Sequence, residues 1–318
     1  MENCAQFLRD KKWGIFNHYL WHEVCVPEHF HNRGTGITDW DTAVKMFDVE
    51  RLAYTLHKMK AGYYFITIMQ GTRHMIAPNA TYDKIAGTKP GEACATRDLP
   101  MELYDALSKY GIDLCLYFTG DGPHHDPELA SKFDCFDGKY VEERPVDEKF
   151  CKKWAAVIEE YAVRYGDKVK AWWLDGFYAD KMCYTNELRG IYHKAIKKGN
   201  PNAAVAFNNG VQPGFWRVYP EEEFVCGEFN DFLTVPYSHS IEGAQAHVLA
   251  PLGYDSEGMI DWNGWAHRGI RHSKEYMRDF IRACARVGGA VSVDIAVNID
   301  GTFDPEQQLC MEWVGNNL

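Results

Sequence analysis

Two acidic residues in the chain have the type and surroundings for bond-breaking chemistry. Asp175 closes the apolar run Ala171-Trp172-Trp173-Leu174 and is followed at once by Gly176. Tryptophan and leucine suit a buried strand, and a glycine lets the backbone turn sharply because it has no Cβ to clash at positive φ. Such an aspartate sits at the C-terminal tip of a strand, where β/α barrels keep their reactive groups. A strand-end aspartate more commonly caps the next helix or opens a turn, so its reading depends on what converges on it. Glu228, in Gly227-Glu228-Phe229-Asn230-Asp231, ends a second apolar run. Two carboxylates facing each other among aromatic side chains are the equipment for glycoside hydrolysis: one attacks the anomeric carbon, and the other protonates the leaving oxygen and later activates water.

The elements that must hold them are legible as alternating strands and helices. Strands are predicted at 13–18, 62–69, 112–118, 171–175, 203–207, 223–229, 244–249 and 290–295. Helices are predicted at 48–60, 99–110, 147–165, 183–198 and 273–287, several ended by glycine (Gly111, Gly166, Gly199, Gly288). The stretch from Gln70 to Arg97 reads mostly as loop. Alternation of this kind implies a parallel sheet. About eight units without a linker favour a closed (β/α)8 TIM-like barrel, a single domain over residues 1–318. No glycine-rich phosphate loop follows the first strand, which counts against a dinucleotide fold. Strand ends then bring His18, Gln70, Tyr117, Asp175, Asn208, Asn209, Glu228 and Asp294 towards one mouth. Of the two adjacent tryptophans, alternation sends one to the helices and one, Trp173, inward.

Composition narrows the partners. The 318 residues carry a net charge of −11, which argues against nucleic acid or an anionic membrane as partner, because phosphate binding needs clustered Lys and Arg. Aromatic residues make up 14% of the chain, with 10 Trp. These fit a carbohydrate substrate, since rings stack on the apolar faces of sugars, and they fit a tryptophan-rich core equally. The ten cysteines include no C-x-x-C pair, and Cys115 and Cys226 lie in apolar runs. They read as buried thiols of a reducing compartment. No apolar segment follows Met1, so the expectation is a cytoplasmic protein.

Five collinear pieces of the chain resemble the α-L-fucosidases of glycoside hydrolase family 29. Trp13-Gly14-Ile15-Phe16-Asn17-His18 is similar to that family's "FGIFIHWG". Phe47-Asp48 followed by Lys60-Ala61-Gly62-Tyr63-Tyr64 is similar to "FD…W…AGAKYVVLT". Trp173-Leu174-Asp175-Gly176 is similar to "WFDG", and Phe207-Asn208-Asn209 to "VNNR". Gly288-Gly289 through Asn298-Ile299-Asp300-Gly301-Thr302 and Pro305-Glu306 is similar to "GGNLLLNIGPNADGTIPPE". The resemblance implies a retaining exo-glycoside hydrolase of the α-L-fucosidase-like type, with Asp175 as nucleophile and His18 on a sugar hydroxyl. It does not carry over an acid/base, for which strand position favours Glu228, with Asp231 and Glu257 in reserve.

Departures from the family pattern fall on the sugar grip. Where "KHHDGF" should follow the second strand, the chain has Met69-Gln70-Gly71-Thr72-Arg73-His74, and Gly210 replaces the arginine of "VNNR". Gln70, Arg73 and His74 then stand as substrate contacts, with Tyr117, Trp173, Asn208 and Asn209 around them. His124 and His125 are expected at the rim, and Trp262 and Trp265 as a sugar platform. The chain ends about a dozen residues after Pro305-Glu306, so no C-terminal β-sandwich is expected. A glycosidase for another sugar, or a non-catalytic carbohydrate-binding barrel, fits the same departures; a second carboxylate beside Asp175 separates hydrolase from binder. His18 and His22, or His124-His125-Asp126, could suggest metal, but His22 lies in a loop rather than one helical turn from His18. No metal or cofactor is expected. The long loops 19–46 and 232–271 could be lids or the contacts of a homo-oligomer.

Overall fold

A computed structural model describes residues 4–135, 146–178, 184–254 and 264–318. The strands are β1 Trp13–Asn17, β2 Tyr63–Thr67, β3 Asp113–Thr119, β4 Val169–Asp175, β5 Ala204–Phe207, β6 Ser240–Ile241, β7 Ala244–Gln245, β8 His247–Pro251 and β9 Ala290–Asp294. Seven of them form one parallel sheet in the order β5-β4-β3-β2-β1-β9-β8, curled into a half-barrel. β6 and β7 make a small antiparallel hairpin.

The predicted alternation is the alternation of the sheet. Phe16, Phe65, Tyr117, Trp173 and Ala206 pack together on the concave face. Their neighbours Ile15, Ile66, Leu116, Trp172 and Val205 pack outward with the helices. Successive side chains of a strand point to opposite faces, so a run that is apolar at every position fills both layers. Ala5 and Leu8 of the N-terminal helix join the inner cluster. The helices at Val49–Met59, Leu99–Ser108, Glu148–Tyr165, Asn186–Gly199 and Lys274–Arg286 each begin at a side-chain cap: Asp48, Asp98, Asp147, Thr185 and Ser273. Each cap accepts a backbone N–H that the first turn leaves unpaired. The stretch read as loop after β2 contains a further short helix, Ala80–Ala86, and a last helix spans Pro305–Asn316.

The expected closed eight-stranded barrel is where the structure departs. Residues 223–229 form no regular strand, only isolated bridges Phe224↔Gln245 and Glu228↔Leu249. Towards β8 the backbone still pairs: Leu249 donates to the Gly227 carbonyl over 2.8 Å and Phe229 to the Leu249 carbonyl over 2.9 Å. Towards β5 side chains take over. Glu223 donates its own N–H to the Val205 carbonyl (3.0 Å), but the amides of Val205 and Phe207 donate to the carboxylates of Glu223 (2.9 Å) and Glu222 (3.1 Å). Gly227 explains the break in part. Its φ is +58°, and a Cβ there would lie 1.8 Å from the His247 carbonyl oxygen, so only glycine permits this approach to β8. The expected strand at 244–249 is likewise split, between the hairpin strand β7 and β8.

Candidate active site

The ends of β1, β3 and β4, with Leu249 of β8, line a cavity of about 420 Å³, within the range of small-molecule sites. Asp175, the last residue of β4, is 8% exposed. Tyr117 donates its hydroxyl to Asp175 Oδ2 over 2.5 Å, Asn208 its amide to Oδ1 over 2.8 Å, and Tyr178 reaches Oδ1 at 3.3 Å. The same Asn208 nitrogen also donates to Glu228 Oε2. Two carboxylates on one amide lie within two N–H···O lengths of each other, so their nearest oxygens are no more than about 6 Å apart.

Their environments differ. Burial raises the pKa of both, and each charge works against the other's ionisation. Glu228 has only the Asn208 amide in compensation and is pushed up to about 8. Asp175 is also raised, by burial and by Asp121, but Tyr117, Asn208 and the Gly176 N–H hold it back. The donors thus favour the charge on Asp175 and leave the proton to Glu228. Gly176 has φ +79°, and a Cβ there would lie 2.6 Å from the Asp121 carboxyl carbon, so the turn expected after Asp175 also makes room for a third carboxyl behind it.

His18, one residue past β1, places Nδ1 2.8 Å from Asp294 Oδ1, and Ala266 N–H donates to the other Asp294 oxygen over 2.7 Å. Asp294 accepts, so Nδ1 carries the proton and Nε2 is left as the other ring nitrogen. Tyr117 and Trp173 stack with ring centroids 5.3 Å apart, and Trp265 stands edge-on to His18 at 5.7 Å. His18, Gln70, Tyr117, Trp173, Asp175, Glu228 and Trp265 all line the cavity. Asn208 bridges the carboxylates, and Asn209 lines a small crevice that Glu228 also borders.

Other expected contacts lie elsewhere. Arg73 is paired with Asp126 at 2.5 Å and Glu128 at 3.0 Å. His74 stacks on Trp21 with centroids 4.8 Å apart. His124 sits 3.3 Å from Asp121, and the His125 amide donates to the Gly71 carbonyl over 2.8 Å. Local partners therefore hold all four away from the cavity wall. Trp262 and Glu257 lie outside the described residues. Asp231 is engaged by His272 and by the Phe232 amide rather than by the cavity. Burial pushes the Cys226 thiol well up, consistent with a core residue. Nine cysteines among the described residues are free thiols, eight of them buried. No three His, Cys, Asp or Glu side chains among the described residues group to hold a metal ion. No described helix is long and apolar enough to cross a membrane.

The cavity also contains residues that sequence reasoning did not assign: Glu23, His29 and His31 from the loop after β1, Tyr178 just past Asp175, Asn230 and His267. The density of histidines in 22–31 was a visible signal. What it lacked was any periodic pattern to say where the loop folds.

The chain shares its fold with solved α-L-fucosidases and endo-fucoidan hydrolases. α-L-Fucosidase isoenzyme 1 from Paenibacillus thiaminolyticus matches with a TM-score of 0.66 at 16% identity, over 99% of this chain and 75% of that one. A fucosyltransferase mutant of the α-L-fucosidase AlfC matches at 0.65 and 13% identity, over 100% and 98%. The endo-fucoidan hydrolase MfFcnA4 of glycoside hydrolase family 107 matches at 0.69 and 13% identity. The chain covers 99% of itself in that last match but spans only 54% of the fucoidan hydrolase. No protein-family profile matches the sequence, and no curated protein sequence is recognisably similar to it. The fold is thus shared with solved α-L-fucosidases, one from Bacteroides thetaiotaomicron of glycoside hydrolase family 29 among them, and with a family 107 endo-fucoidan hydrolase.

Proposed function

We propose that the chain is a retaining glycoside hydrolase acting on fucose-type or related glycosides, with Asp175 as nucleophile and Glu228 as acid/base. The observation that carries this reading is the Asn208 amide held between the two carboxylates. A spacing of about 5–5.5 Å suits retention, whereas inversion needs about 6.5–9.5 Å to admit a water. In the first step an Asp175 oxygen attacks the anomeric carbon, and Glu228 gives its proton to the departing glycosidic oxygen. In the second, water attacks the same carbon, Glu228 takes its proton, and the Asp175 ester bond breaks. The ordering of the two acidities supports these roles: the nucleophile has four donors on its carboxylate (Tyr117, Asn208, Tyr178 and the Gly176 N–H) and the acid has one. His18, fixed by Asp294, and the Tyr117–Trp173 stack supply a sugar-facing wall. The second carboxylate beside Asp175 also favours a hydrolase over a binding barrel.

The test is a panel of aryl glycosides, α-L-fucoside included, with the wild type and Asp175→Ala side by side. One sugar is turned over, and the variant loses at least about 10³-fold in rate, with partial recovery when azide replaces the carboxylate. Silence across the panel, with sugar binding retained, would move the reading to a binding barrel.

A further inference from the structure

The loop after β1 builds part of the cavity wall from two groups that the proposed mechanism does not use. Glu23 lies in the short helix Trp21–Val24, and its side chain is 14% exposed. His31, in the turn Phe30–Asn32, is fully buried. Its Nδ1 is 2.6 Å from the Val297 carbonyl, which can only accept, so Nδ1 carries the proton. Burial, helped by His29, holds the His31 pKa down to about 3 against the pull of the Val297 and Ala266 carbonyls. The ring is therefore neutral, and its Nε2 is an acceptor.

That nitrogen has no hydrogen-bond partner, and neither does Glu23 Oε2. They face each other at 3.9 Å, too far for a hydrogen bond and with no proton of His31 to share. Burial and the Asp294 charge raise the Glu23 carboxyl well above its ordinary range, as expected for a carboxylate without a donor. Two buried polar atoms side by side, each without a partner, lose hydration with nothing in return. A hydroxyl placed between them would restore both. Meanwhile, no Lys or Arg is among the described residues lining the cavity, while Glu23, Asp175 and Glu228 are. Among the described residues, the wall's only possible cations are histidines, which are largely uncharged above about pH 7.

We infer that Glu23 and His31 form a hydroxyl-binding site for the sugar ring, which binds a neutral glycone and rejects one carrying a sulfate or carboxylate. This rests on the hydrolase reading only in taking the cavity as the sugar site. A ring hydroxyl donates its proton to His31 Nε2 and accepts the one that the Glu23 carboxyl keeps. An anionic substituent would be desolvated in the cavity that holds the Asp175 charge, with no Lys or Arg among the described lining residues to meet it.

The experiment is a titration of intrinsic tryptophan fluorescence, since Trp173 and Trp265 both line the cavity. The probes are L-fucose, D-galactose and D-glucose, against sulfated L-fucose, D-galacturonate and D-glucuronate, at about pH 7.5, where histidine is uncharged. At least one neutral sugar binds, and its anionic counterpart binds at least about tenfold more weakly. Glu23→Gln, which keeps the side chain's shape, weakens the neutral sugar by about tenfold and narrows the discrimination. Its thermal midpoint verifies that it folds. If a glycoside is turned over, Glu23→Gln raises KM and leaves kcat nearly unchanged. An anionic sugar binding as tightly as its neutral partner, an unchanged Kd in Glu23→Gln, or no binding by any sugar overturns the inference. Binding with the expected selectivity but no turnover would remove the hydrolase reading and leave this one standing.

Discussion

The hydroxyl of Tyr117 gives the sharpest handle on the arrangement around Asp175. It donates to Oδ2 over 2.5 Å where Tyr117 is 1% and Asp175 8% exposed, so water cannot replace it. A hydrogen bond to a buried charged group is worth about 1.5–3 kcal/mol, and one pKa unit corresponds to about 1.36 kcal/mol. Tyr117→Phe removes only that oxygen. Because the bond favours the ionised carboxylate, its loss raises the Asp175 pKa by about one to two units. Turnover needs Asp175 ionised. The acidic limb of kcat/KM, which reports the free enzyme, should therefore move to higher pH by that amount, while the alkaline limb set by Glu228 stays near 8. The profile narrows from its acid side. Tyr178→Phe is the internal control: its hydroxyl is 3.3 Å from Oδ1 and the ring is only half-buried, so its shift should be below about half a unit. The assay is a pH series with whichever aryl glycoside the wild type cleaves. An acidic limb that does not move in Tyr117→Phe, or moves equally in Tyr178→Phe, would refute the reasoning.

Three further outcomes follow from the same geometry. Glu228→Gln should abolish the alkaline limb near pH 8 and slow substrates with poor leaving groups by about 10²–10⁴-fold, while a dinitrophenyl glycoside, which needs no proton, is spared; equal losses on both substrates would count against an acid role. Glu222→Ala should lower stability by about 2–6 kcal/mol, because the amides of Val218 (2.6 Å) and Phe207 (3.1 Å) lose their acceptor; thermal or urea unfolding within 0.5 kcal/mol of wild type, an order-of-magnitude threshold for a surface change, would show that the seam between β5 and residues 223–229 is held otherwise. Stability should also depend on Glu222's titration. Burial raises its pKa to about 8, so its contribution is fully present below the unfolded value and is lost as pH rises through about 8, a slope that Glu222→Gln should flatten in a pH series of melting curves.

Much of this protein was legible in the sequence because two of its signals are local. Strand runs such as Tyr63–Thr67 and Val169–Asp175 are apolar at every position, and burial on both faces of a parallel sheet demands that. Helix starts at Asp48, Asp147 and Ser273 follow from capping chemistry within four residues. Asp175 could be picked out because a carboxylate at the end of such a run, followed by Gly176, meets a local requirement of the backbone. Glu228 was reached by its place in the strand count, although its own strand does not form. The tertiary structure alone decided the rest. Whether residues 223–229 join a ladder depends on Glu222 and Glu223 reaching β5 and on Gly227 approaching the His247 carbonyl, contacts whose partners are set by packing rather than by period. Arg73, His74, His124 and His125 have the right types for substrate contacts, yet each finds a nearer partner in the fold. Glu23 and His31 carry no pattern at all. They face one cavity because β1 and the Val297 carbonyl fix the two ends of an irregular loop, and a hydrogen bond between residues 266 positions apart leaves no trace in the order of the chain.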